Sequence, residues 1–107
     1  MVCNTSFAEQ FIGSLCCKTI DGDPILPGIL VSIDEKNKIA KIGLHYYELT
    51  SEIDAFKLFA NNELFIRTVY INRITGLYHE STRWKLTSGL GEEKIKQAVC
   101  KKAKAKF

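Results

Sequence analysis

Six side chains could supply nucleophilic or metal-binding chemistry: Cys3, Cys16, Cys17, Cys100, His45 and His79. A tetrahedral zinc site draws on ligands paired two to four residues apart. Here Cys16 and Cys17 are adjacent, would point to different sides of a helix, and nothing else is paired. The cysteines therefore read as small buried hydrophobes. Neither histidine sits in a local catalytic motif, and the chain has no Gly-x-Ser-x-Gly elbow and no Cys-x-x-Cys. The carboxylate pairs Asp21 and Asp23, Asp34 and Glu35, Glu52 and Asp54, and Glu92 and Glu93 fall in turns, at caps or in a segment of mixed signals. Their ordinary role there is solvation and helix-end charge. Gly89-Leu90-Gly91 is the nearest thing to a phosphate cradle, but Glu92 and Glu93 follow it and would repel a phosphate. The chemistry on offer predicts no catalytic residue, no metal and no cofactor. An enzyme built on a cysteine and a histidine ranks third among the functional readings.

Recognition is better served. Tyr70, Arg73, Tyr78, Arg83 and Trp84 lie on one stretch of alternating apolar, aromatic and basic residues. They are the predicted binding surface of a small non-enzymatic protein, acting through a protein interface or a shallow aromatic-lined pocket. The partner is a second protein or a second copy of the chain. The alternative is nucleic acid. The net charge is +3, and residues 92–107 hold six lysines against two glutamates, so the rest of the chain is close to neutral. Basic character is confined to that tail, where Lys94, Lys101, Lys102 and Lys104 would meet phosphates.

These residues must be positioned by a single domain, because 107 residues make one core. The clearest element is a hairpin over Leu64–Leu86. Two strand-like runs flank Asn72-Arg73-Ile74-Thr75-Gly76, where Asn72 can accept backbone hydrogen bonds and Gly76 can take positive φ. A type I turn followed by a glycine bulge fits this order. Leu64–Ile71 is apolar on both faces, which calls for cover on both sides. Ile29–Asp34 and Ile39–Tyr47 form a second hairpin around Asp34–Lys38; Glu48–Asn62 reads either as a short helix capped by Thr50 or Ser51 or as a strand over Ala55–Phe59, and the strand is favoured. Ser6 and Glu9 fit a capping box, and Phe7, Phe11, Ile12 and Leu15 recur at helical spacing, so a helix is expected over Phe7–Cys17. Ile95, Val99, Ala103 and Phe107 stand four apart, predicting a lysine-rich helix over Glu92–Phe107. The expected fold class is α+β: a single antiparallel curved sheet of about five strands, or a small partly open barrel, with a helix from each terminus packed on it. No apolar run reaches membrane-spanning length and the N-terminus lacks a signal-peptide pattern. The expectation is a cytoplasmic protein, with reduced cysteines and no membrane association.

Overall fold

A computed structural model of the chain describes residues 12–19 and 28–102. Among these residues there are eight strands and no helix: β1 (Ile12–Thr19), β2 (Ile29–Asp34), β3 (Ile39–Ile42), β4 (His45–Ser51), β5 (Ala55–Asn61), β6 (Phe65–Asn72), β7 (Leu77–Leu86) and β8 (Gly89–Lys102). Each strand pairs antiparallel with the next, and β8 returns to pair with β1, closing a barrel. An eight-stranded barrel has an interior just wide enough for side chains to fill it. Alternation decides which ones do. Val31, Ile33, Tyr47, Leu49, Phe56, Leu58, Phe65, Val69, Ile71 and Tyr78 form the core, with Leu15, Cys17, Ala98 and Cys100 completing it across the β1–β8 seam. Cys17 and Cys100 stand opposite each other in register and are joined by a disulfide, while Cys16 is free and exposed.

The α+β expectation is corrected on both terminal helices. Ile12–Cys17, assigned to the first helix, is strand β1, and the earlier part of that helix lies outside the described residues. So does the turn expected at Asp21 and Asp23. The tail is the longest strand of the barrel through Lys102; the helix expected to continue beyond it falls outside the described residues. Lysine, glutamate, glutamine and alanine favour helix locally, but propensity is a weak prior that tertiary pairing overrides. Here the pairing is two-sided, since β8 hydrogen-bonds to β7 along most of its length and to β1 at its end. Ala98 and Cys100 face the core, whereas Ile95 and Val99, the expected docking stripe, are exposed.

The strand expected over Ile39–Tyr47 is split. Gly43, with φ +60°, and Leu44 form a two-residue loop that leaves Ile42 opposite His45. Positive φ at the first central residue alone is the II′ hairpin arrangement. The loop resets the alternation: Ala40 and Tyr47 point inward, whereas Leu44 and Tyr46, which an unbroken strand would set on the face of Ala40, are exposed. The central hairpin is as expected. The Asn72 side-chain oxygen accepts from the N–H groups of Ile74 and Thr75, and Gly76 has φ +80°. Strand β5 begins at Ala55 as expected and runs on to Asn61.

The loops fall at two ends of the barrel. One end carries the turns at 35–38, 52–54 and 73–76, and Arg73 is drawn in against it. Its Nη1 lies 3.4 Å from a Glu35 carboxylate oxygen and donates to the Glu52 carbonyl at 3.1 Å, with the guanidinium 4.3 Å from the centre of the Phe56 ring. The opposite end, carrying the turns at 43–44, 62–64 and 87–88, is the mouth.

Candidate functional site: the mouth of the barrel

The register of β6 and β7 sets opposite each other Phe65 and Trp84, Arg67 and Thr82, Val69 and Glu80, and Ile71 and Tyr78. All eight share the inward-facing parity. From the mouth inward they run from the aromatic pair Phe65–Trp84, through Arg67–Thr82 and Val69–Glu80, to Ile71–Tyr78. Arg67 and Glu80 are thus two charges that the strand period directs inward, where charges are tolerated only when paired and hydrogen-bonded.

Both conditions are met. Arg67 Nε donates to Thr82 Oγ1 at 2.7 Å, and Nη1 donates to the Tyr47 hydroxyl at 2.9 Å. Glu80 lies 3.7 Å from Arg67 Nε. Its carboxylate accepts from the Tyr78 hydroxyl at 2.6 Å and from Thr82 Oγ1 at 3.3 Å. The guanidinium rests 4.1 Å from the centre of the Phe65 ring, and Phe65 in turn meets Trp84 edge-to-face at 5.4 Å. Arg67 is held by two hydrogen bonds, one carboxylate and one ring, so its orientation is fixed before anything binds.

The network is specified in its protonation as well as its geometry. Burial pushes the Tyr78 hydroxyl far above the usual phenol range, reinforced by its hydrogen bond to Glu80 and by that carboxylate's charge. Burial also raises Tyr47, against the opposing pull of the Arg67 hydrogen bond and charge. Both phenols therefore stay neutral, one as donor to Glu80 and one as acceptor from Arg67.

One edge of Arg67 is left over. A guanidinium has five N–H groups in a planar fork. Two are engaged, and Nη2 donates to no group among the described residues. No buried side-chain nitrogen or oxygen there is without a partner, so Nη2 is not wholly buried. Arg67 lines a depression of about 200 Å³ together with Glu80, Thr82, Trp84, Lys94, Ile95 and Lys96. Three cations line it against one carboxylate. A larger groove of about 350 Å³ runs along the outer wall past Ile39, Tyr46, Glu48, Phe59 and Asn61. Fixed, convergent polar groups are what mark a binding site, and the mouth has them.

The predicted binding residues are dispersed. Trp84 lines the mouth. Tyr78 is inside the barrel, reaching the site through Glu80. Tyr70 is on the outer wall, with Lys57 5.7 Å from its ring centre. Arg73 is at the opposite end, and Arg83 is exposed on the outer face, bonded to the Gly91 carbonyl. The lysines of the nucleic-acid alternative divide as well. Lys94 lines the mouth, Lys102 is partly buried, Lys101 has the opposite parity on β8, and Lys104 lies outside the described residues. Among the described residues no cluster of three potential metal ligands occurs, and no helix is long and apolar enough to cross a membrane.

Arg67, Glu80, Thr82 and Lys96 were not singled out as a site by sequence. Their signal was there, in opposite charges at inward positions on the two arms of one hairpin. Comparison of the chain with protein-family models, curated proteins and solved structures finds no match.

Proposed function

We propose that the protein is a small, non-enzymatic binding protein that holds the anionic group of a compact ligand in the mouth of its barrel. One observation carries this reading: a rigidly held arginine with its Nη2 unused lines a depression that Lys94 and Lys96 also line. Planar donors fixed in advance are what recognise carboxylates and phosphates, and fixing them beforehand lowers the ordering cost of binding. Glu80 offsets only one of the three cations that line the depression. The lysines of β8 face two ways, which favours a compact anion over a polyanion. The disulfide supports an oxidising compartment in place of the cytosol.

The chain has a single tryptophan, and it lines the site. Titration with acetate and with inorganic phosphate, read by Trp84 fluorescence, is expected to saturate and to weaken as salt rises. The double variant Lys94→Gln/Lys96→Gln alters only exposed side chains, so it should keep the wild-type melting temperature and lose about tenfold in affinity. Arg67→Lys retains the charge but not the fork, and should bind more weakly still. Binding that ignores all three substitutions would overturn the reading.

A further inference from the structure

Resting on that reading, we infer that the ligand is a small aromatic monocarboxylate, its carboxylate on the Nη2 edge of Arg67 and its ring against Trp84. Three observations converge on this class. The first is Trp84 itself. It has inward parity at the rim and lines the depression, yet its side chain remains 44% exposed. Phe65 braces it edge-to-face, with an interplanar angle of 81°, which leaves other indole surface open. An aromatic ring prefers such a surface at a centroid separation of about 4.5–7 Å.

The second is the spacing of the two recognition elements. The Arg67 guanidinium lies 5.9 Å from the Trp84 ring centre, and Phe65 touches both. A carboxylate attached directly to a ring reaches from one to the other, whereas a long flexible linker would find no room in about 200 Å³. The stems of Lys94 and Lys96 give the ring an apolar wall.

The third is charge. Arg67 already shares its positive charge with Glu80, 3.7 Å away. Lys94 is likewise paired with Glu92 at 3.8 Å, so one net positive charge remains among Arg67, Lys94 and Lys96, and a monoanion balances it. A phosphate ester would set a second negative charge beside the Glu80 carboxylate, and like charges this close are disfavoured.

The test compares benzoate, cyclohexanecarboxylate, phenyl phosphate, benzyl alcohol and acetate by calorimetric titration of the full chain. Benzoate should bind about fivefold more tightly than cyclohexanecarboxylate, in line with the added value of an aromatic pair. It should also exceed phenyl phosphate, and benzyl alcohol should not bind. Trp84→Leu should abolish the preference for benzoate over cyclohexanecarboxylate, with circular dichroism confirming the fold. Equal affinity for benzoate and cyclohexanecarboxylate, or benzoate binding unchanged in Trp84→Leu, would overturn the aromatic assignment and leave the anion site standing. Tighter binding of phenyl phosphate would reassign the ligand to a phosphate ester. Failure of acetate, benzoate and phenyl phosphate alike would remove the anion site itself.

Discussion

Tyr78 shows how one side chain can serve the core and the site together. Its ring is 1% exposed, and its hydroxyl donates to Glu80, which lies beside Arg67. Tyr78→Phe keeps the packing and removes the donor, leaving a buried carboxylate oxygen short of a partner. The expected loss is about 1–3 kcal/mol in urea unfolding at neutral pH. The same variant tests the titration. Burial holds the folded phenol above its ordinary value, so the unfolded chain ionises first as pH rises. The stabilisation is fully present below about pH 10 and declines above it. Tyr78→Phe should show a shallower alkaline decline than the wild type, and identical slopes would refute the assignment. The two arginines of the hairpin region show why residue roles were only partly legible. Arg73 sits in a turn, where a sequence suggests exposure, but the bent backbone delivers it to the Glu52 carbonyl and the Glu35 carboxylate. Arg67 sits mid-strand with inward parity, and its value as a site residue appears only once Tyr47, twenty positions away, is brought beside it by the intervening strands.

At the scale of the element, turn chemistry was the most readable information in the chain. The turn over Asn72–Gly76 needs no distant partner to be recognised, because asparagine and glycine act on their own backbone. The structure adds a distant partner. The Gly76 carbonyl accepts from the Cys100 N–H at 2.7 Å, which ties the turn to β8, and a Cβ on Gly76 would collide with the Cys100 carbonyl oxygen. Gly76→Ala therefore combines positive φ with a backbone clash, and should cost more than the roughly 1 kcal/mol of a simple left-handed alanine. Gly43 is the natural control. It also has positive φ, but a Cβ there would meet nothing within 4 Å. Gly43→Ala should thus be the milder of the two in thermal melts, and the reverse order would show that the Gly76–Cys100 approach carries no weight. Strand β8 was illegible for the opposite reason. Its inward positions near the mouth are Lys94 and Lys96, so the apolar alternation that announces a strand is missing where the barrel opens. What remained was a spacing of four among Ile95 and Val99, which are in fact on the outside.

The whole molecule is a meander whose first and last strands must find each other across almost the entire chain. The β1–β8 seam contains five register pairs, from Leu15 with Lys102 to Thr19 with Ala98. Cys17–Cys100 lies at its centre and joins residues 83 positions apart. No local pattern could disclose that pairing, since closure depends on the stagger summed over eight strands. The energetic consequence follows from length. A cross-link that closes a loop this long removes about 4 kcal/mol of unfolded-chain freedom in the loop-entropy account. The seams from β2 to β8 are each reinforced by a short turn, whereas this one has only its ladder, its core contacts and the bond. Cys100→Ser, or reduction of the native protein by a dithiol, should therefore lower the melting temperature by on the order of 20 °C. Cys16→Ser should do nothing, because that thiol is exposed and free. Hydrogen exchange locates the effect. Amides paired between β1 and β8 should lose protection on reduction before those between β6 and β7, whose pairing is anchored by the Asn72–Gly76 turn. A seam that stays protected after reduction would mean that packing alone closes the barrel, and that the disulfide adds no more than a local constraint.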